Sequence, residues 1–322
     1  MAPRVAVLDD YQGVARDYAD WDSLPAQVEF FHEHIADRDE LVRRLSPFAV
    51  IAAMRERTAF PREVLAALPN LELLVTTGMR NASIDMAAAR ELGIVVSGTG
   101  GAGADRSWAP TAELTWGLIF ALLRQIPAED RSIREGGWQR GIGVEVVGRT
   151  LGVLGLGRLG TQVAQVGRVF GMDVIAWSQN LTDEAAAAAG ARRVSKDELF
   201  AESDVLTIHT VLSKRTRGLV GAAELALMRP TAYLINTSRG PVVDEAALRS
   251  ALHEGRLAGA GIDVFDQEPL SADNPWRSTP RTVLTPHLGY VTEDVYRTFY
   301  TDTVESIAAH LQGAPIRVLN AD

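Results

Sequence analysis

Three side chains with complementary chemistry follow separate apolar runs in the second half of the chain: Arg239, Glu268 and His287. An arginine presents a planar, permanently charged fork to a carboxylate, and a histidine can donate and retake a proton near neutral pH. A carboxylate beside the histidine orients its ring and favours its charged form. Given a hydride source, these groups could reduce a 2-oxo acid by binding its carboxylate and protonating the forming alkoxide.

Each of these residues also has an ordinary structural interpretation, because loop arginines form surface ion pairs and Glu-Pro pairs form turns. The chain has six histidines, and His209 also stands at the end of a predicted strand, so it is the alternative to His287. Pro286 and Gly289 favour His287, since the proline rigidifies its approach and the glycine lets a ligand come close. The other four are expected to be structural or solvent-facing: His32, His34, His253 and His310.

A glycine-rich turn could supply the hydride source by binding a dinucleotide. The stretch "GLGRLG" follows a predicted strand and opens a predicted helix, which is the context of a dinucleotide-binding turn. Gly155 would allow the turn, Gly157 would let the backbone approach a pyrophosphate, and Gly160 would let helix and strand pack closely. The N-terminus of the helix would offer N–H groups to the phosphates. One face of that helix is expected to pack on the sheet: Leu159, Val163, Val166 and Phe170.

Short β-branched runs alternate with helical patterns, which indicates a parallel α/β fold. In the first hundred residues, strands are predicted near 4–8, 28–31, 48–53, 71–77 and 93–96, with helices at 37–45 and 61–68. A second set of strands is predicted at 151–154, 174–177, 205–208, 232–236, 260–263 and 282–285. Six strands complete a dinucleotide-binding sheet, and ligands of such sheets bind outside the carboxyl ends of the strands. The three candidate side chains should therefore converge at one edge.

The chain has 322 residues, which favours two domains. The glycine-rich stretch 98–110 is interpreted as a domain crossing. The helix predicted at 111–126 is so apolar that it should be buried against another domain or another subunit. A long helix predicted at 291–313 could return to the first domain. The predicted domains are a first one at 1–100 plus 291–322 and a second one at 101–290.

Composition restricts the class of protein. A net charge of −9 disfavours a nucleic-acid partner, which requires a basic face. There is no cysteine, so thiol chemistry and cysteine-ligated metals are excluded, and the expected chemistry needs no metal. No apolar run reaches the length of a membrane span, and the first ten residues do not resemble a signal peptide. We therefore expect a cytoplasmic protein.

Several longer motifs resemble the successive signatures of the D-isomer-specific 2-hydroxyacid dehydrogenases: "GVLGLGRLG", "LINTSRGPVVDEAAL", "AGIDVFDQEPL" and "LTPHLGY". The resemblance extends back to 76–96 and 110–126 and covers most of the chain. It implies an α/β fold of two doubly wound parallel-sheet domains. One would be a flavodoxin-like substrate domain and the other a Rossmann cofactor domain, with the active site in the cleft. It also implies a homodimer formed through the 101–150 region.

The resemblance implies roles for individual residues. Arg239 would bind the substrate carboxylate, and Glu268 would partner His287, the acid/base. Contacts with the cofactor are implied for Gly155, Gly157, Arg158, Leu159, Gly160, Ser178, Thr210, Thr237, Ser238, Asp263 and Gly289. Of these, Asp263 would lie beside the nicotinamide carboxamide. Contacts with the small 2-oxo or 2-hydroxy acid are implied for Arg55, Gly78, Met79 and Arg80.

Two departures from the family pattern bear on specificity. Relatives that prefer NAD carry an aspartate where this chain has Ser178, and that charge repels a 2′-phosphate. Its loss predicts relaxed discrimination between NAD and NADP, slightly favouring NADP. The nearest downstream arginines are Arg192 and Arg193. Arg55 and Arg80 favour a substrate with additional polar or anionic character.

Other functions fit the sequence less well. The family includes transcriptional corepressors, so a nucleotide-sensing interaction protein on the same scaffold is the alternative to an enzyme. A methyltransferase would leave Arg239, Glu268 and His287 unexplained together, and formate oxidation is disfavoured. The particular 2-hydroxy acid, the physiological direction and the pathway stay open.

Overall fold

The computed structural model describes residues 2–100 and 109–321. The chain forms two compact units, Met1–Arg106 with Val291–Asp322, and Ser107–Tyr290. Each contains one parallel β-sheet flanked by helices. The α/β fold with two doubly wound sheets, predicted from the sequence, is confirmed. Most of the domain crossing predicted at 98–110 lies outside the described residues.

The strands are β1 Arg4–Val7, β2 Gln27–Phe30, β3 Val50–Ala53, β4 Leu73–Thr76, β5 Val95–Ser97, β6 Thr150–Leu154, β7 Asp173–Trp177, β8 Arg192–Arg193, β9 Val205–Ile208, β10 Tyr233–Asn236, β11 Gly259–Ile262 and β12 Thr282–Leu284. The helices are α1 Ala15–Tyr18, α2 Arg38–Leu45, α3 Arg62–Ala66, α4 Met86–Glu91, α5 Pro110–Leu123, α6 Ile126–Arg134, α7 Arg158–Val169, α8 Asp183–Ala188, α9 Lys196–Glu202, α10 Ala222–Leu227, α11 Glu245–His253 and α12 Glu293–Leu311.

The first unit has the strand order β2-β1-β3-β4-β5. This is the flavodoxin-like order. All five strands are parallel, and the order in which successive strands are added reverses between β1 and β3. Every residue of β3 and β4 is buried, as expected of central strands covered on both faces. The long C-terminal helix α12 belongs to this unit and packs on β4 and α1.

The second unit has the strand order β12-β11-β10-β9-β6-β7-β8. Its first six strands in chain order give the dinucleotide-binding arrangement, and β12 extends one edge. The sequence predicted six strands here, and the structure has a seventh, β8. This strand consists of two exposed arginines, so it carries no apolar signal that sequence reasoning could detect.

Helix α5 is buried within its own unit. Trp116, Leu118 and Ile119 share an apolar core with Val153 of β6 and Ile235 of β10. The prediction that this apolar helix must be covered by another domain or subunit is therefore wrong, because α5 packs on the sheet of its own unit and against α7. Gln125, which has a left-handed backbone conformation, separates α5 from α6.

Helix α7, which follows the glycine turn, packs with a face that only partly matches the one predicted. Val163 is buried and Val166 packs against the same core, as expected, whereas Leu159 is only half-buried. Phe170 ends the helix, is 39% exposed and contacts aromatic rings of α5 instead of the sheet. Three small residues of the helix are also buried: Gly160, Ala164 and Gly167. The prediction was right only in part because α7 packs against α5 as well as the sheet.

Within the described part of the chain, every helix is too short or too polar to span a lipid bilayer.

Candidate active site

The loops that carry Arg239, Glu268 and His287 leave neighbouring strands at the same edge of the second sheet. Strands β10, β11 and β12 are adjacent and parallel, and Asn236, Ile262 and Leu284 are paired at their carboxyl ends. The sequence predicted that the loops carrying these three side chains would share one edge of the sheet. The observed strand order puts the three loops there.

His287 and Glu268 form a short ionisable pair. The Glu268 carboxylate lies 2.6 Å from Nδ1 of His287, and its other oxygen accepts a hydrogen bond from the Phe265 N–H at 2.8 Å. The imidazole also meets the ring of Tyr290 edge-on, with 5.4 Å between ring centroids. Because Nδ1 is engaged, Nε2 is the nitrogen from which this ring can exchange a proton with a ligand.

Asp263 holds the histidine loop in place. Its carboxylate accepts hydrogen bonds from the Thr285 hydroxyl at 2.6 Å, the Leu288 N–H at 2.7 Å and the Gly289 N–H at 3.0 Å. Its backbone carbonyl accepts the His287 N–H at 2.8 Å. Burial raises the pKa of the Asp263 carboxyl, and the hydrogen bonds oppose that shift. The carboxylate therefore fixes a loop in which His287 adopts a left-handed conformation, with φ of 54°.

The loop that carries Arg239 is held by hydrogen bonds and lies against the loop that carries Glu268. Asn236 closes it, since its amide donates to the Arg239 carbonyl at 3.0 Å and accepts from the Ser238 N–H at 3.0 Å. The guanidinium donates to the Ser238 carbonyl at 2.8 Å. Gly240 touches the backbone of Phe265, where a Cβ would lie 2.1 Å from the carbonyl carbon. Arginine and carboxylate are thus carried by loops in direct contact.

The glycine turn has the geometry that a dinucleotide requires. Gly155 has φ of 100°, and a Cβ there would lie 2.8 Å from the His209 carbonyl carbon. At Gly160 a Cβ would lie 2.2 Å from the Gly155 oxygen, whereas at Gly157 it would meet nothing within 4 Å. Gly157 precedes α7 without a side-chain cap, so the first N–H groups of this helix have no partner within the helix and are suited to binding a phosphate.

A cavity of about 460 Å³ lies beside this turn. Ser178, at the end of β7, is part of its wall and accepts a hydrogen bond from the Leu156 N–H at 2.8 Å. The cavity is lined by Leu154, Gly155, Gly157, Trp177, Ser178, Gln179, His209, Thr210, Val211, Ser213, Arg215, Thr216 and Leu219. Apolar side chains and backbone beside the phosphate-binding turn suit the adenosine half of a dinucleotide.

Comparison with known proteins decides the family. Residues 116–289 match the family model described as "D-isomer specific 2-hydroxyacid dehydrogenase, NAD binding domain". The D-3-phosphoglycerate dehydrogenase of Archaeoglobus fulgidus is 34% identical over 98% of this chain. The chain belongs to the D-isomer-specific 2-hydroxyacid dehydrogenase family. The resemblance inferred from the motifs is confirmed.

Other members of the 2-hydroxyacid dehydrogenase family differ in length. The glyoxylate reductase of Aeropyrum pernix is 37% identical over 81% of this chain, and the match covers 79% of that protein. The match to the Archaeoglobus dehydrogenase covers only 58% of that protein. A crystal structure of a phosphoglycerate oxidoreductase from Vibrio cholerae superimposes with a TM-score of 0.90 at 34% identity, covering 97% of this chain and all of that one.

The residues predicted to contact the cofactor in this dehydrogenase-family chain fall into two groups. Gly155, Gly157, Ser178 and Thr210 line the cavity, and Arg158, Leu159 and Gly160 open α7 beside it. Thr237, Ser238, Asp263 and Gly289 lie at the ends of β10, β11 and β12. The family match supports nicotinamide dinucleotide binding by this unit.

The structure separates the two candidate histidines. His209 lines the cavity beside the glycine turn, and burial lowers its pKa from 6.5 to about 4. Its Nε2 lies 2.7 Å from the Thr207 hydroxyl. An imidazole that stays neutral at physiological pH is a poor proton donor, and no carboxylate among the described residues orients it. These observations favour His287 over His209 as the acid/base.

The neutral His209 should make the stability of the protein sensitive to acid. Between about pH 6.5 and 4 the unfolded chain binds a proton that the folded chain excludes, so the free energy of unfolding falls as the pH drops. We expect His209→Gln to remove about 1–2 kcal/mol of the loss between about pH 7 and pH 5. Urea denaturation at both pH values measures it, with His253→Gln at the exposed end of α11 as the control. Equal pH dependence in wild type and His209→Gln would contradict the expected burial effect.

The substrate residues predicted in the first unit occupy two neighbouring loops. Arg55, with φ of 52°, donates to the Thr77 carbonyl at 3.2 Å, and a Cβ on Gly78 would lie 2.1 Å from its guanidinium. Met79 and Arg80 are exposed. The structure therefore brings Arg55 and Gly78 together and leaves Arg80 on the surface of this unit.

Sequence reasoning missed two threonines of α5 that join the catalytic loops. The Thr111 hydroxyl donates to the Gly289 carbonyl at 2.8 Å. Thr115 donates to the Thr111 carbonyl at 2.8 Å, so its contact with the Thr237 hydroxyl at 2.9 Å is one in which Thr237 donates. Two hydroxyls four residues apart on a mostly apolar helix were the available signal, but the sequence pattern was taken to indicate only a buried element.

We expect Thr115→Val to lower both stability and catalytic efficiency. The change removes the partner of the buried Thr237 hydroxyl, which costs about 1 kcal/mol and lowers kcat/KM about fivefold. Thr298→Val is the control, because its hydroxyl bonds the Asp294 carbonyl on an exposed part of α12. A loss of stability with unchanged kcat/KM would show that the threonines support the fold alone.

Proposed function

We propose that the chain is an NAD(P)-dependent D-2-hydroxyacid dehydrogenase, which interconverts a 2-oxo acid and a D-2-hydroxy acid. The observation that carries this proposal is the 2.6 Å pair of His287 and Glu268 on a loop that touches the loop of Arg239, at the carboxyl edge of a dinucleotide-binding sheet. Membership of the family supports it. The three relatives described above are named as enzymes, so their names give no support to a corepressor-like interaction protein.

The three side chains would divide the reaction between them. Arg239 would bind the substrate carboxylate through two parallel hydrogen bonds and fix the position of the neighbouring carbonyl. His287, protonated at Nε2, would donate that proton to the carbonyl oxygen as negative charge develops on it. Glu268 would hold Nδ1 and stabilise the charged ring. When bound, a reduced nicotinamide supplies the hydride. In the reverse direction His287 would take the proton back.

The remaining residues of the edge would position the cofactor. The N–H groups that begin α7, near Gly157 and Arg158, would bind the pyrophosphate. Thr237 and Ser238 would lie near the nicotinamide ring, where the short polar bonds of their loop fix the backbone. Asp263 would lie beside the nicotinamide carboxamide while its carboxylate holds the loop of His287. We propose a slight preference for NADP over NAD as coenzyme, since Ser178 places no negative charge beside the adenosine ribose.

The substrate class follows from the arginines and the relatives. We propose that Arg55, with Gly78, Met79 and Arg80, contacts the substrate, and that the substrate carries a polar or anionic group beyond its carboxylate. A relative named phosphoglycerate dehydrogenase supports such a group, and the relative named glyoxylate reductase supports a smaller acid as the alternative.

We also propose a homodimer formed by the segment after α5. This surface exposes apolar side chains that a single copy leaves uncovered: Trp138 is 72% exposed and Ile142 is 92% exposed. Ile126 and Ile133 of α6 are more than half exposed as well. An exposed apolar patch of this kind is typical of a protein interface. The cytoplasmic location and the absence of a nucleic-acid partner stay predictions.

A panel of 2-oxo acids with NADH and NADPH tests the proposed function. We expect absorbance of the reduced nicotinamide to fall with pyruvate, glyoxylate, hydroxypyruvate or a phosphorylated or dicarboxylic 2-oxo acid. With coenzyme deuterated at C4 on the transferred face, the product should carry deuterium at C2 and have the D configuration. Absence of turnover across the panel with both coenzymes would contradict the proposal. Equal rates for the phosphorylated or dicarboxylic acids and for pyruvate or glyoxylate would contradict only the role given to Arg55 and Arg80.

A further inference from the structure

The residues around Ser178 leave the recognition of the adenosine ribose unassigned. A Rossmann unit that prefers NAD places an acid at this point, and one that prefers NADP needs a nearby arginine. Ser178 uses its hydroxyl to accept the Leu156 N–H, and the next residue, Gln179, is uncharged. Positive charge for a 2′-phosphate would therefore have to come from elsewhere in the fold.

The two arginines nearest downstream in sequence are committed to carboxylates. Arg192 contacts Glu202 at 2.6 Å, and Arg193 contacts Asp183 at 3.4 Å. Both lie on the short edge strand β8, and neither lines the cavity beside Ser178. They are poorly placed to recognise a phosphate there.

Arg215 lines that same cavity, together with Ser178 and Gln179. It comes from the loop after β9, more than thirty residues further along the chain, and sequence proximity could not reveal it. Of the thirteen described residues in the cavity wall, Arg215 is the only one with a permanent charge, and none is acidic. His209 contributes no charge, because its pKa of about 4 keeps it neutral.

The loop that carries Arg215 is held by the neighbouring Thr216. The Thr216 hydroxyl donates to the Val211 carbonyl at 2.7 Å and accepts the Ser213 N–H at 2.7 Å, which joins both ends of the turn. Beyond it, the Gly218 N–H donates to the Pro241 carbonyl at 2.8 Å. These hydrogen bonds hold the backbone on both sides of Arg215, which lowers the entropy that the loop would lose when Arg215 binds a ligand.

We infer that Arg215 is the residue that determines coenzyme specificity, by binding the 2′-phosphate of an NADP-type coenzyme across the cavity from Ser178. The inference rests on the proposed function only in taking the cavity as the adenosine site. A guanidinium can form paired, charge-assisted bonds with a phosphate. The uncharged Ser178 and Gln179 accommodate that phosphate without repulsion.

The test compares ligands that differ only in the 2′-phosphate. Binding of adenosine 2′,5′-bisphosphate and of AMP is measured by calorimetry, and binding of NADPH and NADH by energy transfer from the protein tryptophans. We expect Arg215→Gln to weaken binding of the bisphosphate and NADPH by about tenfold to a hundredfold. Binding of AMP and NADH should change less than about threefold, since neither ligand reaches the guanidinium with a phosphate.

Lys214→Gln is the matched control, since Lys214 is exposed on the same turn but does not line the cavity. It should change all four dissociation constants by less than about threefold. Ser178→Asp should weaken NADPH selectively. Equal weakening of both ligand classes by Arg215→Gln, or none, would overturn the inference. These measurements require no turnover, so a failed panel of 2-oxo acids would contradict the proposed function and leave this result independent.

Discussion

Replacing His287 with asparagine should lower kcat for reduction of a 2-oxo acid by about 100- to 10,000-fold, because the reaction loses its positioned proton donor. Asparagine suits this position for two reasons. It tolerates the left-handed backbone, where φ is 54°, better than most residues. Its amide can also take the place of Nδ1 opposite Glu268, so the loop held by Asp263 should keep its shape.

The measurement that gives this result meaning is coenzyme affinity. NADH and NADPH should bind His287→Asn within about twofold of the wild type, because the proposed role of the histidine is to contact the substrate and it does not line the cavity beside the glycine turn. His209→Asn is the matched control on the other strand-end histidine. It should retain most of kcat and change coenzyme binding instead, since His209 lines that cavity. Large loss of turnover in His209→Asn with little loss in His287→Asn would reverse the assignment.

Arg239→Gln should lower kcat/KM for 2-oxo acids by about 30- to 3,000-fold. The change leaves a substrate carboxylate without its charged partner in a partly buried site, a loss of about 2–5 kcal/mol. Glutamine retains a hydrogen-bond donor and much of the side-chain length, so the variant mainly tests the charge. Most of the loss should fall on KM if the arginine binds substrate and transition state equally, and on kcat if it mainly orients the carbonyl.

Two further variants separate charge from geometry at this position. Arg239→Lys keeps the charge but loses the planar fork, so it should recover only part of the efficiency. Arg229→Gln removes an arginine from an exposed ion pair with Asp204, 3.3 Å away, and should have little effect. Full activity in Arg239→Gln with 2-oxo acids would exclude the arginine as the carboxylate-binding residue.

The sequence predicted those parts of the fold that depend on local signals. The glycines of "GLGRLG" report a backbone conformation that few other residues adopt, and at Gly155 the structure has that conformation. The predicted strands came from short apolar, mostly β-branched runs, and every strand except β8 lies within or overlaps a predicted range. Placement of Arg239, Glu268 and His287 at one edge followed from a general rule about parallel sheets, not from the residues themselves.

The missed features depend on contacts between distant parts of the chain. The apolar pattern of α5 shows that the helix is buried, but it cannot show which surface covers it, and the covering surface is the sheet of its own unit. Thr111 and Thr115 gain their roles only because α5 meets the loops after β10 and β12. Likewise, Arg215 is distant from Ser178 in sequence, and only the fold makes both line one cavity.

A crystal structure of the protein with NADH and oxamate, an unreactive analogue of a 2-oxo acid, is the most direct measurement of the proposed chemistry. We expect the oxamate carboxylate to accept paired hydrogen bonds from Arg239. Its neighbouring amide-carbonyl oxygen should lie about 3 Å from Nε2 of His287, with Glu268 still on Nδ1. Oxamate bound away from Arg239, or His287 directed away from its carbonyl, would contradict the assignment of these side chains to one reaction.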